Sequence, residues 1–342
     1  MTIDVHWHHV PAAFVEQVLS GRCPIAGSIE SNPSGPTLVL EGGFRQDLPP
    51  ALVDPDLAVA SMDAAGIDAA AISVAPPLTH HSADAAVARI VSEELNNAFA
   101  ALAETYPGRF LPLANVPLQD PARAAAELRR SVVELRIFGV AIGTNVNGRN
   151  LGDAEFRPFW RAVADHDAFV FIHPSPQVVF GKDDRLGKHN LVNFVGLPID
   201  TAAAVASLIF DGVYEEFGPL KTCFAHGGGA FPYIASRWEH GYRARGAAED
   251  SSLRNPNSYF GSIYCDSLTH SPAALRFLIE LLGADHVVLG SDYPFDMGES
   301  RPIQAMHAAV NGRIARAKIA GGTAARLLGV TNPRAATKDT AL

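Results

Sequence analysis

Short apolar runs recur along this chain and alternate with longer segments in which apolar residues have helical spacing. The runs are as short as buried strands, and most lack polar alternation, which is typical of parallel strands covered on both faces. Each run is followed by a helical pattern. This alternation predicts an α/β fold, a (β/α)8 barrel. The predicted strands lie near residues 3–9, 70–74, 110–114, 139–143, 169–173, 221–226, 262–266 and 286–292.

Several of the predicted helices have recognisable ends. Asp54-Pro55, Asp120-Pro121 and Ser271-Pro272 each place a capping side chain before a proline, which is favoured at the first helical position. Gly66 and Gly283 follow two of these helices as stop signals. An open doubly wound sheet would also alternate strands and helices, but it usually has a GxGxxG motif after the first strand, and none occurs here.

One long segment interrupts the regular alternation. Residues 10–50 contain clusters of Pro, Gly and Ser, then an apolar run at 37–40 and Phe44 on either side of Gly42-Gly43. This pattern predicts a hairpin on an insertion after the first strand. The rest of the chain to residue 331 is predicted to form the single barrel domain, and residues 332–342 are expected to form a loose tail.

Composition and charge narrow the class of protein. The chain has 342 residues, of which 48% are hydrophobic, and its formal net charge of −9 argues against a nucleic-acid partner. We find no leader and no apolar run that approaches the ~18 residues of a membrane span, so a cytoplasmic location is the default expectation. Its cysteines, Cys23, Cys223 and Cys265, have no CxxC spacing; Cys223 and Cys265 lie in apolar runs and are expected to be buried thiols.

Residues that can bind a metal are placed at the ends of the predicted strands. His6 and His8 point to the same side of the first strand, because side chains alternate along a strand. His173, His226 and Asp292 end three further strands. Each has an ordinary alternative role, as a core histidine, a turn residue or a helix cap. In a barrel, however, the carboxyl ends of all strands share the face that carries the active site, so the five residues together indicate a metal site.

These motifs resemble those of a known family. Asp4-x-His6-x-His8, His173-Pro174, His226 followed by three glycines, and the segment 290–295 are similar to the amidohydrolase superfamily. The similarity is closest to its branch of α-amino-β-carboxymuconate-ε-semialdehyde decarboxylase and related non-oxidative decarboxylases. The resemblance implies one divalent metal, usually zinc and in some relatives manganese, with His226 as a catalytic histidine beside it. The implied metal ligands are His6, His8, His173 and Asp292.

The resemblance also implies residues that bind the substrate. It matches Arg45 and Arg237 to carboxylate-binding arginines, the second of which reaches the site of a neighbouring subunit and so implies a homodimer or larger homo-oligomer. Residues 139–144 contain no lysine that could bridge two metals, which favours a mononuclear site. After His173 the sequence departs from the decarboxylases. The pair His80-His81 is expected to be solvated, although either histidine could touch the substrate.

The function predicted from these residues is a metal-dependent decarboxylase of a small unsaturated or aromatic carboxylic acid. Asp292 or His226 would help to protonate the carbon that loses CO2. Whether a metal-activated hydroxide adds to the substrate or the metal binds the substrate directly stays open. A hydrolase or hydratase that uses the same hydroxide is the main alternative, and a non-catalytic, metal-stabilised binding protein is a second.

Overall fold

A barrel of parallel strands organises the chain, as the sequence pattern predicted. The computed structural model describes residues 1–32, 35–41, 44–79, 83–182, 185–245 and 254–330. In these residues the barrel strands follow the order β1-β5-β6-β7-β10-β11-β12-β13, and every neighbouring pair is parallel. The strands are β1 (Ile3–His8), β2 (Gly27–Asn32), β3 (Gly35–Leu40), β4 (Phe44–Asp47), β5 (Ala69–Ser73), β6 (Phe110–Ala114), β7 (Gly139–Ile142), β8 (Asn145–Val146), β9 (Arg149–Asn150), β10 (Phe169–Ile172), β11 (Lys221–Phe224), β12 (Ile263–Asp266) and β13 (Val287–Val288).

The barrel closes between β1 and the segment that follows β13. The Val5 N–H donates to the Leu289 carbonyl at 2.9 Å, the Asp292 N–H donates to the His6 carbonyl at 2.8 Å, and the His8 N–H donates to the Tyr293 carbonyl at 2.8 Å. These three bonds alternate between the two segments as in a parallel ladder. The first strand and the last segment of the barrel are therefore neighbours, and both end on the face where strands terminate.

The helices cover the outside of the barrel, and their caps agree with the sequence. The side chain of Asp54 accepts hydrogen bonds from the Asp56 and Leu57 N–H groups, and Gly66 ends that helix in the left-handed conformation. The α-helices are α1 (Ala12–Leu19), α2 (Pro50–Val53), α3 (Pro55–Ala65), α4 (Ala85–Thr105), α5 (Pro121–Val133), α6 (Arg157–Asp165), α7 (Leu197–Phe210), α8 (Val213–Phe217), α9 (Phe231–Arg245), α10 (Pro272–Leu282), α11 (Pro302–Ala309), α12 (Arg313–Ala317) and α13 (Thr323–Leu328).

The segment after the first strand is more regular than its sequence suggested. β3 and β4 form the expected antiparallel hairpin, whose residues 42 and 43 lie outside the described part of the chain. β2 pairs with β3 on the other side and makes a small antiparallel sheet of the three strands. Neither β2 nor α1 was predicted, because β2 is largely exposed and polar and so has no apolar alternation. The predicted tail, residues 332–342, also lies outside the described residues.

The barrel interior is filled by alternate residues of the strands. One buried cluster combines Phe169, Phe171, Cys223 and Ala225 with Ile3 and Val5 of β1 and with residues of the other strands. The pairing of β1 with β5 shifts between Asp4 and Trp7, as at a β-bulge. The bulge allows Ile3 and Val5 to fill the interior while His6 and His8 face the mouth of the same barrel. Cys223 and Cys265 are buried free thiols, as expected, and Cys23 is one as well.

One described helical segment corrects an expectation from the sequence. Residues Val192–Phe210 are long and apolar enough to span a membrane, with a mean hydropathy of 1.6 over an 18-residue window, although polar residues interrupt the apolar run. Of this segment, 56% is buried inside the structure. A helix that is apolar on most of its surface and packs within a globular protein has the same composition as a membrane span. Its apolarity is therefore accounted for by burial against the barrel.

Candidate metal centre and catalytic site

Four predicted ligands meet at the mouth of the barrel. His6 and His8 come from β1, His173 directly follows β10, and Asp292 lies beyond β13. One nitrogen or oxygen of each residue can be chosen so that all four atoms lie within 4.8 Å of one another. Atoms bound to one ion at about 2.0–2.2 Å are at most about 4.4 Å apart, so a small inward shift suffices. The structure thus brings together the four residues that the sequence proposed.

The polar atoms that face the centre of this cluster have no hydrogen-bond partner. Asp292 Oδ1 lies 3.0 Å from His6 Nε2 and 3.2 Å from His8 Nε2. These three atoms are buried, and none makes a hydrogen bond of suitable geometry; both ring nitrogens of His173 are likewise buried and unpaired. Buried polar groups are rarely left without partners. Three imidazoles and one carboxylate that converge in this way fit a divalent metal ion.

The electrostatics of the cluster favour a cation. Burial alone would lower the pKa of His6, but the charge of Asp292 and the hydrogen bond with Asp266 outweigh it and raise this pKa to about 10. Burial likewise opposes ionisation of Asp292, yet the neighbouring His6 holds the pKa of that carboxyl well below its usual range. Burial lowers the pKa of His8, and burial with the nearby imidazoles lowers that of His173 further. His8 and His173 are therefore neutral, as metal ligands must be.

A second carboxylate orients the first ligand. Asp266 ends β12, is fully buried, and places Oδ2 2.6 Å from His6 Nδ1. With an ion bound in place of the Nε2 proton, this contact would keep the other proton on Nδ1 and direct the Nε2 lone pair at the ion. The Nδ1 atom of His8 lies 3.1 Å from Ser73 Oγ and 3.3 Å from the Val74 carbonyl, which fixes that ring in the same sense.

Asp266 also holds the turn that carries the catalytic candidate. Its carboxylate accepts hydrogen bonds from the His226 N–H at 2.9 Å, the Gly227 N–H at 2.7 Å and the Leu268 N–H at 3.1 Å. One side chain therefore joins β1, the turn after β11 and the loop after β12. The sequence reasoning did not assign Asp266 a role. The available signal was a carboxylate at the end of a predicted barrel strand, the position at which the other site residues were found.

His226 stands beside the cluster at the edge of an open space. Its Nε2 lies 3.4 Å from Asp292 Oδ2, the oxygen that points away from His6 and His8, and its side chain is 22% exposed. The backbone of His226 is left-handed, with φ of 56°, and so is that of Gly229, with φ of 60°. A Cβ at Gly229 would lie 2.3 Å from the Pro198 carbonyl oxygen, so the last glycine of the motif allows the turn to pack against α7.

The loop of Asp292 is fitted closely to β1. Asp292 is left-handed, with φ of 61°, and such strain in a residue other than glycine is typical of functional sites. A Cβ at Gly290 would lie 2.9 Å from the Cβ of His6 and 2.7 Å from that of Asp266. The Asp4 carboxylate accepts hydrogen bonds from the N–H groups of both His6 and Ser291. These contacts fix the spacing between the first and the last ligand.

A cavity of about 290 Å³ opens beside the metal cluster. This volume is at the small end of the range for ligand sites, which suits a ligand of about one substituted ring. None of its described lining residues is an arginine or lysine. The lining residues are Asn193, Phe194, Leu197, Pro198, His226, Gly229, Leu268, Thr269, His270, Asp292 and Met297.

The two arginines matched to substrate binding lie elsewhere. Arg45 is on β4 of the small antiparallel sheet, where it is half-exposed and pairs with Glu30 at 2.6 Å. Arg237 is an exposed residue of α9, the helix that follows the His226 turn. Neither borders the described cavity. His80 and His81 lie outside the described residues.

Comparison with known proteins matches nearly the whole chain to the family that the sequence motifs resemble. A family model described as Amidohydrolase matches residues 3–330. A 2-amino-3-carboxymuconate-6-semialdehyde decarboxylase of Dictyostelium discoideum is 36% identical over 295 residues, which are 86% of this chain and 81% of the relative.

Solved structures have the same architecture. A 5-carboxyvanillate decarboxylase of Sphingomonas paucimobilis is 25% identical and superposes with a TM-score of 0.81 over 96% of this chain and 99% of its own. A dihydroxybenzoic acid decarboxylase of Polaromonas sp. JS666 has a TM-score of 0.80 at 21% identity, over 97% and 98% of the two chains, and supports the fold alone. The second protein was solved with bound manganese and the inhibitor 2-nitroresorcinol.

Proposed function

The chain belongs to the amidohydrolase family, in its branch of metal-dependent non-oxidative decarboxylases of small unsaturated or aromatic acids, and we propose that its reaction takes place at the cluster of His6, His8, His173 and Asp292. The observation that carries this proposal is the convergence of four buried ligand atoms within 4.8 Å, with His226 next to them. The named relatives are decarboxylases, which favours carbon–carbon cleavage over the hydrolase alternative.

The ligand atoms of the cluster suit one divalent ion, and zinc is the preferred candidate. Three imidazole nitrogens and one carboxylate oxygen suit zinc, whereas manganese prefers a larger share of oxygen ligands. Manganese stays the alternative, because the Polaromonas decarboxylase was solved with it. When bound, the ion acts as a Lewis acid that polarises an oxygen of the substrate and stabilises negative charge as it develops.

His226 and Asp292 are proposed to deliver the proton to the carbon that loses CO2. Decarboxylation breaks the bond between a carbon and its carboxylate, releases CO2, and requires a proton for the electron pair left on that carbon. His226 Nε2 is a partly exposed imidazole nitrogen that borders the cavity, and Asp292 Oδ2 at 3.4 Å can share a proton with it. Asp266 holds the His226 backbone, so this nitrogen keeps its position while the substrate enters.

The function is tested by supplying aromatic and muconate-type acids to the purified protein. We expect CO2 release together with loss of the ultraviolet absorbance of the acid. Activity should require about one tightly bound divalent ion per chain; a chelator should abolish it, and zinc or manganese should restore it. Incorporation of water without loss of carbon would indicate the hydrolase, and full activity without metal would contradict the proposed site.

We propose that Arg237 serves the site of a second subunit. The described cavity has no cation other than histidine in its lining, yet a carboxylate substrate is best held by the guanidinium fork of an arginine. Arg237 is exposed on α9, close in sequence to the His226 turn. Arg45, on the insertion sheet, is proposed as a second carboxylate-binding group once its pair with Glu30 opens. A homodimer and a cytoplasmic location complete the proposal.

A mixing experiment tests the shared site. Arg237→Ala and His226→Ala subunits should each be nearly inactive alone. In a mixed dimer, one site combines an intact His226 with an intact Arg237 from the other chain, so activity should return. The other site carries both substitutions and should stay inactive. If subunit exchange is demonstrated and no activity returns, Arg237 does not act across an interface.

A further inference from the structure

Three ionisable residues with left-handed backbones border the cavity beside the metal cluster. In the described chain, eight residues other than glycine have positive φ, and the cavity is lined by His226 at 56°, Asp292 at 61° and His270 at 54°. Each follows a different barrel strand. A left-handed residue other than glycine costs conformational energy and persists where its surroundings enforce it, most often at functional sites. Two of the three already have a role in the proposed chemistry.

The loop of His270 is tied to the metal centre at its start. It begins at Asp266, whose carboxylate contacts His6 and accepts the Leu268 N–H at 3.1 Å. The methyl group of Thr269 packs against Gly227, where an added Cβ would lie 2.7 Å away. The loop therefore packs against the His226 turn as well as being bonded to the same carboxylate.

The far end of the loop is fixed by a helix. Ser271 caps α10, since its Oγ accepts the Ala274 N–H, and Thr269 Oγ1 donates to the Ser271 carbonyl at 3.0 Å. His270 is thus placed between two anchors by contacts that do not involve its own ring. The ring is exposed and makes no hydrogen bond within the described part of the chain. A side chain positioned in this way is preorganised to bind something else.

We propose that His270 determines substrate specificity: its imidazole N–H donates a hydrogen bond to an accepting substituent of the substrate, such as a second carboxylate or a phenolic oxygen, distinct from the carboxylate that leaves. Within the described lining, the imidazole side chains are those of His226 and His270. His226 is next to Asp292, whereas the ring of His270 makes no such contact, so His270 is the imidazole free to bind a second polar group of a small acid. This inference rests on the proposed function of the site.

The ring of His270 could instead serve only to stabilise its loop. His270 borders a second cavity of about 230 Å³ on the other side of the loop, together with Ser267, Glu299 and Pro302. If its ring served only the loop, removal of the side chain would change stability and leave ligand binding unaltered. Glycine separates the two roles, because it adopts the left-handed conformation without strain while it removes the imidazole.

The test measures binding of matched acids to the metal-loaded protein by calorimetry. The pairs are benzoate with benzene-1,3-dicarboxylate, and 2-hydroxybenzoate with 2,6-dihydroxybenzoate. We expect the wild type to prefer the acid with the extra group in at least one pair. His270→Gly should reduce that preference by about tenfold, the effect of one charge-assisted hydrogen bond, and change binding of the simpler acid less than about twofold. Its Tm should be unchanged or higher by about 1–3 °C.

Two further variants serve as controls. His270→Asn tolerates the left-handed backbone and keeps an N–H donor, so it should retain part of the preference. Arg136→Gly removes a side chain from an exposed left-handed residue, with φ of 56°, just before β7 at the opposite end of the barrel, and should leave binding unchanged. A wild type without preference in either pair, or a preference that survives in His270→Gly, overturns the inference. CO2 release is measured separately over the aromatic and muconate-type acids, so its absence with all of them contradicts the proposed function, while the binding data still decide the role of His270.

Discussion

His226→Ala should keep its metal and lose decarboxylation by on the order of a thousandfold, which is the usual contribution of a positioned acid or base. His226 is outside the set of converging ligand atoms, and its Nε2 contacts the Asp292 oxygen that points away from the other ligands. The ligand shell is therefore complete without it. The loss should be in kcat, while the metal content by elemental analysis should match that of the wild type.

The opposite pattern would reassign the residue. If the His226→Ala protein is purified without metal, His226 is a ligand and its assignment as a catalytic residue beside the metal is wrong. His286→Ala is a suitable control, because His286 is also half-buried, stacks on Tyr264 with ring centroids 4.6 Å apart, and precedes β13 at the other end of the barrel. It should lower the Tm and leave metal content and activity per folded protein intact.

His173→Ala should remove both the metal and the activity. Its two ring nitrogens are buried without partners, and it lies with ring centroids 4.8 Å from His6 and 4.9 Å from His8. Loss of a direct ligand should weaken metal binding by more than about a hundredfold, since even residues that only orient ligands contribute about ten- to a hundredfold. Metal titration followed by fluorescence or calorimetry measures this affinity.

Comparison of His173→Ala with His226→Ala distinguishes a metal ligand from a catalytic residue. Excess zinc should restore part of the activity of His173→Ala, because its proton-handling residues are intact, and should restore none to His226→Ala. A His173→Ala protein that binds zinc with the affinity of the wild type would exclude His173 as a ligand.

The sequence predicted correctly those parts of the fold that are determined by residues close together in the chain. Asp54 and Ser271 cap their helices by contacts within three residues, and the barrel strands are continuous apolar runs. The four proposed metal ligands were predicted to lie together because all strand ends of a barrel share one face, and the structure brings them together. Topology therefore supplied the long-range information that the local pattern lacked.

The remaining features depend on contacts between distant residues. The role of Asp266 is invisible until β12 is placed beside β1 and β11, since its partners are His6 and His226. The left-handed backbone of His270 is imposed by its anchors, since most histidines have a negative φ. β2 is held by pairing with β3, and its exposed polar residues give no signal of their own.

The metal centre is assembled from the two ends of the barrel sequence. His6 and Asp266 are 260 positions apart, and Asp4 and Ser291, which hold the first and last ligand loops together, are 287 apart. During synthesis, β1 therefore leaves the ribosome long before its final neighbour exists. A chain that stops before residue 289 lacks both the closing strand segment and the carboxylate ligand. At the proposed site, uptake of the metal would therefore require nearly the entire chain to be made and folded, since a fragment with three of the four proposed ligands lacks the carboxylate of Asp292.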